Sequence, residues 1–259
     1  MRIIAISNPK GGSGKTTTAV NLGAALAAQG SRVLIIDMDP HGSASSWLGV
    51  PETSLNVYRA IRGNAELAEL VHETTAEGVH LVPSSHMLIA DSSRQEAALA
   101  IGFTRAMAKL RPIWEVVLID CPPTLGYLAV APIAVSHGVL VPVPAQVLAL
   151  AGLGDLMAMA ERVRDRMNPR LEIDGILACR TNGTTHGRLV VERMGKAYPD
   201  LLLRTHVRES VKLAEAAGFR LPISRYGPGS TGDDDYRSVA TELLERLAGA
   251  ADRLRPEKI

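Results

Sequence analysis

Asn8-Pro9-Lys10-Gly11-Gly12-Ser13-Gly14-Lys15-Thr16 stands between an apolar β-branched run, Ile3 to Ser7, and a helix-period stretch, Thr16 to Gln29. A strand that turns through glycines into a helix lets backbone N–H groups close around a phosphate chain, with the helix N-terminus behind them. The glycines permit the turn and the close approach. Lys15 supplies a cation for the terminal phosphates, and Thr16 offers a hydroxyl to Mg²⁺. The strict pattern has glycine where this chain has Pro9. A glycine-rich turn with two exposed lysines is the plain alternative, and the register of strand, loop and helix argues against it.

From this unit outward, short β-branched runs alternate with helix-period segments, the pattern of a mostly parallel twisted sheet with helices on both faces. Strands are expected over Ile3–Ser7, Arg32–Asp37, Val79–Val82, Glu115–Asp120, Gly138–Val143 and Leu171–Ala178, and helices over Thr16–Gln29, Ser92–Leu110, Leu148–Met167, His186–Tyr198 and Asp233–Leu254. No linker, repeat or low-complexity tract intervenes, so residues 1–259 are expected to form a single α/β domain of the P-loop NTPase fold. The chain is 46% apolar but only 3% aromatic, so its core must be built from Ala, Val, Leu and Ile. Cys121 and Cys179 lie far apart in apolar runs and read as small buried residues, not metal or cluster ligands. The chain shows no charged leader and no run of about 18 apolar residues, so a soluble cytoplasmic protein is expected. The formal charge of +1 leaves any nucleic-acid binding to local clusters.

Arg32 to Pro40 reads as a buried strand ending in Asp37-Met38-Asp39-Pro40, where alternation sends both carboxylates the same way. They fall at the carboxyl edge, where open α/β sheets bind ligands. Val116-Val117-Leu118-Ile119-Asp120-Cys121-Pro122-Pro123 is a second apolar strand ending in a carboxylate. Aspartate often caps helices, but the two prolines make a rigid turn, which favours a metal role for Asp120.

Lys10-Gly11-Gly12-Ser13-Gly14-Lys15-Thr16 resembles the deviant Walker A motif of the ParA and MinD ATPases. The resemblance implies that ATP and Mg²⁺ bind at Lys10, Gly11, Gly12, Ser13, Gly14, Lys15, Thr16 and Thr17. It also implies that Lys10 reaches the nucleotide of the partner in an ATP-sandwiched homodimer. The Asp37–Pro40 segment resembles the family's Walker A′ motif, which assigns the attacking water to Asp39 and places Asp37 near the metal's outer shell. His41 stands where relatives usually carry Gln. The strand ending in Asp120 resembles Walker B, with Asp120 holding Mg²⁺ through water; Thr16, Asp37 and Asp120 are thus the metal candidates, and Lys10, Lys15 and Asp39 the catalytic ones. No strong general base accompanies this set, so slow, partner-stimulated hydrolysis is expected. Val141-Pro142-Val143-Pro144 with Leu150-Ala151-Gly152-Leu153, then Val207 to Ala216 and Tyr226-Gly227-Pro228-Gly229-Ser230, resemble the switch and C-terminal signatures of chromosomal ParA (Soj) proteins. Ala145-Gln146-Val147 departs from their usual residues. Arg180-Thr181-Asn182 matches the adenine-side loop and makes Asn182 a candidate for adenine recognition.

Within this resemblance, the expected function is segregation of chromosome or plasmid DNA, with a ParB-like partner stimulating hydrolysis. The alternatives are nucleoid-based positioning of a protein cargo, such as a carboxysome or chemoreceptor cluster, through an adaptor, and a MinD-like membrane switch. The last helix mixes Glu242, Glu245, Asp252 and Glu257 with Arg246, Arg253, Arg255 and Lys258, and its apolar face reads as core, so no stable membrane binding is expected. Cluster-binding cysteines and an N-terminal helix-turn-helix extension are also not seen, which argues against a reductase and against operator binding. Between Arg180 and Arg225, nine basic residues face four acidic ones. Such a run is ordinarily a solvated surface. The resemblance instead implies ATP-dependent binding of non-specific double-stranded DNA, nucleoid association in the ATP state, and Arg188, Lys196, Arg208, Lys212 and Arg220 as the phosphate contacts.

Overall fold

The run ahead of the glycine-rich loop forms β1 (Arg2–Ile6), which lies inside a sheet with β2 (Val33–Asp37), β3 (His72–Glu73), β4 (Val79–Val82), β5 (Val116–Asp120), β6 (Gly138–Pro144) and β7 (Glu172–Cys179). The computed structural model describes residues 1–146 and 149–253, without the side chains of 91–96, 149–151 and 250–253. Among the described residues the strand order is β3-β4-β2-β5-β1-β6-β7, and all neighbours are parallel except β3 and β4. Helices α1 (Lys15–Ala28), α2 (Ser43–Trp47), α3 (Val57–Ile61), α4 (Met87–Ala108), α5 (Tyr127–Val135), α6 (Ala149–Arg166), α7 (Thr185–Ala197), α8 (Val211–Gly218), α9 (Ile223–Tyr226) and α10 (Thr231–Arg253) cover it, with a 3₁₀ turn over Leu67–Leu70. The described residues therefore form one α/β domain.

Alternation divides the core in two. Ile4, Ile6, Ile35, Leu118, Leu140 and Leu177 pack with residues of α1, α2, α8 and α10. Ala5, Leu34, Ile36, Val117, Ile119, Val141 and Ile176 face the other way, with residues of α3 to α7. Strands buried on both faces need continuous apolar sequence, which is what made them legible. The chain leaves β1 toward β2 and later crosses to β6 on β1's other side, and the glycine-rich loop emerges at that reversal, where doubly wound sheets hold ligands.

The six expected strands are present with ends shifted by at most one residue. β3 was not expected; two residues cannot display an alternation. α4 starts at Met87 instead of Ser92, and α2, α3, α5, α8 and α9 are additions. α5 escaped because Pro132 lies within it and its residues are apolar all round, which gives neither amphipathic period nor caps. Val147, the expected helix start at Leu148 that precedes α6, and the stretch from Leu254 on, including Arg255, Glu257 and Lys258, lie outside the described residues. On α10, Tyr236, Val239, Ala240 and Leu243 are buried in the core. Among the described residues no helix is long and apolar enough to cross a membrane.

Candidate functional site

The loop closes because Gly12 (φ +70°) and Gly14 (φ +95°) take left-handed conformations that a Cβ would strain. Gly14 caps α1, and Thr18 N–H donates to its carbonyl at 2.8 Å. Asn8 braces the loop: its Nδ2 donates to the Pro142 carbonyl of β6 at 2.8 Å, and its Oδ1 accepts the Lys10 N–H at 2.9 Å. Lys15 is 6% exposed, and its Nζ donates back to the Lys10 carbonyl at 3.2 Å. Burial pushes the Lys15 ammonium down from its usual value against the pull of Asp120 and Asp39. A desolvated cation at the root of a glycine cradle favours a bound anion. Among the described residues no carboxylate pairs with Lys10, which is half-buried on the same loop.

Parallel register sets Asp37 of β2 directly beside Asp120 of β5. Both are 0% exposed. Burial pushes the Asp37 carboxyl up to about 6, and burial with the neighbouring Asp37 pushes Asp120 well above the usual carboxylate range. Asp120 Oδ2 accepts the Thr16 hydroxyl at 2.8 Å, while Oδ1 has no hydrogen-bond partner among the described residues. An orphaned oxygen on a buried acid, beside a hydroxyl and a second acid, is a donor set for a hard divalent cation, and Thr16 and Asp120 fit Mg²⁺. Asp37 is placed differently: Oδ2 accepts the Ser45 N–H (2.9 Å) and hydroxyl (2.7 Å), and Oδ1 accepts the Asp39 N–H (3.1 Å). Its oxygens brace the loop that follows β2. Asp39 stands on that loop with its side chain 12% exposed, its carbonyl receiving the Ser84 hydroxyl at 2.6 Å.

A cavity of about 510 Å³ opens beside the loop, lined by Gly12, Gly14, Thr17, Arg180, Val207 and Val211 among others. It adjoins the phosphate cradle and has mainly apolar walls, suited to a nucleoside. Asn182 does not line it. Asn182 is exposed, accepts the Thr184 hydroxyl at 2.6 Å, and lines an adjacent depression with Arg188, His206 and Arg208. The Val207–Val211 wall was read from sequence as a signature, not as nucleotide contact. The two cysteines are buried as expected, and burial holds the Cys179 thiol up at about 12.

The basic residues are unequal. Arg208 is gripped by Asp235 on α10, its Nε at 3.0 Å and its backbone N–H at 2.8 Å. Lys196 pairs with Glu192, Arg180 with Glu209, and Arg204 with Glu242 and Glu245. Arg188, Lys212 and Arg220 are exposed with no ion pair among the described residues. Arg188 and Arg208 share a depression, whereas Arg220 lines another, with His41 and His86. The five candidates are thus spread over α7, the segment before α8, α8 itself and the turn after it.

A family profile described as an AAA domain matches residues 1–173. The chain is 39% identical to the chromosome-partitioning ATPase Soj of Thermus thermophilus, covering 96% of this chain and 98% of that protein. It is 34% identical to the sporulation initiation inhibitor protein Soj of Bacillus subtilis, covering 93% and 98%. Among solved structures it is similar to cobyrinic acid a,c-diamide synthase from Mycobacterium smegmatis with bound ATP analogue and magnesium, at 31% identity and TM-score 0.82, covering 96% of this chain and 97% of that one.

Proposed function

We infer that this chain, which belongs to the ParA/MinD superfamily and within it to the Soj-like partition ATPases, is an ATP-driven switch. It binds ATP and Mg²⁺, pairs with a second copy across the nucleotide, holds non-specific double-stranded DNA in that state, and lets go when a ParB-like partner stimulates hydrolysis. The observation that carries this reading is the convergence of buried Lys15, the Thr16–Asp120 pair and Asp39 on one glycine cradle, with Lys10 free of any carboxylate among the described residues. Lys15 neutralises the β- and γ-phosphates. Thr16 and Asp120 hold Mg²⁺, which supplies charge neutralisation on the transferring phosphoryl group. Asp39 orients the attacking water, Asp37 steadies Asp39, and Lys10 reaches the partner's nucleotide. The apolar face of α10 is spent on the core, which favours DNA over lipid as the surface bound.

Sedimentation of Asp39→Ala with ATP and Mg²⁺ tests the switch: a stable dimer is expected, reverting to monomer with ADP. A monomer that hydrolyses ATP normally would refute it. Lys15→Ala should lose nucleotide binding in calorimetry.

A further inference from the structure

Asp39 is held unevenly. Its backbone is pinned by its own N–H to Asp37 Oδ1 at 3.1 Å and by the Ser84 hydroxyl and the Gly42 N–H on its carbonyl, at 2.6 and 2.9 Å. Among the described residues its side chain is held by one residue. The His41 N–H (3.1 Å) and the His41 ring Nδ1 (2.9 Å) both engage Asp39 Oδ1. Among the described residues no hydrogen bond reaches Oδ2. Against a carboxylate the imidazole carries its proton on Nδ1, so two donors saturate one oxygen and leave the other for water.

We propose that His41 is a positioning residue for hydrolysis: by fixing Oδ1 of Asp39 it presents Oδ2 to the attacking water. This rests on the reading of Asp39 as the water-orienting carboxylate. The backbone N–H contact alone is an ordinary turn of an aspartate onto the chain two residues ahead and survives most substitutions at position 41. It leaves the carboxylate able to swivel about its terminal torsion, which is broad. The ring contact removes that freedom.

The His41 side chain is 72% exposed and forms one wall of a depression of about 460 Å³ with Glu52, Ser85, His86 and Arg220. The pins on the Asp39 backbone are buried, whereas the ring can be drawn away from outside. This makes the aim of Asp39 adjustable without unfolding the loop.

Asparagine at position 41 places an N–H donor the same number of bonds from the backbone as Nδ1, and leucine places a methyl there. His41→Leu should lower kcat by about tenfold to a hundredfold, the upper figure being the scale of a misplaced reacting group, with unchanged KM for ATP, nucleotide affinity and melting temperature. His41→Asn should stay within about threefold of the parent, under one kcal/mol of barrier. Asp39→Ala should be inactive. If Asp39→Ala is inactive but His41→Leu turns over at the parent rate, or if the leucine and asparagine variants fall equally, the positioning role is wrong. If Asp39→Ala itself hydrolyses ATP normally, the underlying reading of Asp39 fails, and the role of His41 with it.

Discussion

The Thr16 hydroxyl donates to Asp120 Oδ2 at 2.8 Å, so the end of the glycine-rich loop and the end of β5, 104 residues apart, share one hydrogen bond. That bond occupies one carboxylate oxygen and leaves Oδ1 in the interior without a partner among the described residues. Asp120→Asn would keep an acceptor for Thr16 but remove the negative charge that attracts a cation. We expect it to lose Mg²⁺-dependent hydrolysis by about a hundredfold or more, as for removal of one preorganised electrostatic group. Binding of nucleotide in chelator should change little. The check is a Mg²⁺ titration of turnover in both proteins, and an unchanged midpoint and maximum would show that Asp120 is not at the metal.

Lys10 and Lys15 sit five residues apart with different surroundings. Lys15 is buried and folded onto the loop, and Lys10 is half-buried without a carboxylate partner among the described residues. Lys10→Ala should therefore bind ATP within about threefold of the parent, yet fail to form the ATP dimer and lose stimulated turnover. Calorimetry and sedimentation on one preparation separate these effects. Parent-like turnover would mean that Lys10 does not cross to a partner.

The loop, Asp37, Asp39 and Asp120 were legible because each is a local signal, a glycine pattern or a carboxylate at the end of an apolar run. What supports them was not. Ser45 reaches Asp37 only through the left-handed turn at Gly42, and Ser84 reaches Asp39 because β4 lies beside β2. Strand order is a property of long-range packing, absent from any single window of sequence. Asn182 is a candidate by likeness of a loop alone, and its Oδ1 accepts the Thr184 hydroxyl. The basic run between 180 and 225 looked uniform because the acids that pair with Arg204 and Arg208 lie on α10, outside that window.

His137 gives the fold a pH dependence of defined sign. Its Nδ1 accepts the Ile3 N–H at 3.0 Å, and its own N–H donates to the Ile3 carbonyl at 2.8 Å, clipping β1 to the start of β6. Burial first, and then the nearby Arg2 charge, push the imidazole below its ordinary 6.5. The folded state thus binds fewer protons than the unfolded chain, and the contribution is fully present above pH 6.5 and is lost as pH falls through the lowered folded value. Burial likewise pushes His206 below its ordinary value, which acts in the same direction. The melting temperature should fall from pH 7 toward pH 5, and His137→Asn should flatten part of that slope. A parent curve that is flat over this window would contradict the assignment.

The proposed DNA surface can be tested more sharply than its total charge allows. Arg208 already satisfies the nearly buried Asp235 with its guanidinium and its backbone. Arg208→Ala should lower the melting temperature by stranding that carboxylate, so lost DNA binding in this variant would be ambiguous. Lys196 is likewise engaged with Glu192, although both are exposed and the pair is weak. Arg188, Lys212 and Arg220 have no such commitment among the described residues, so their charge is available to phosphates. Each phosphate neutralised contributes roughly 0.9 to the slope of log affinity against log salt. If Arg188 and Lys212 each meet one phosphate per subunit, an ATP-locked dimer doubles the contacts. The Arg188→Ala/Lys212→Ala protein should then lose about 3 to 4 from that slope, with ATP binding and melting temperature unchanged. Binding should weaken equally on unrelated duplexes, since phosphate contacts carry no sequence information. The measurement is a salt titration of binding to two random-sequence duplexes, with ATP and with ADP. A slope that stays at the parent value, or parent binding that is equal in the two nucleotides, would remove these residues or the dimer requirement from the mechanism.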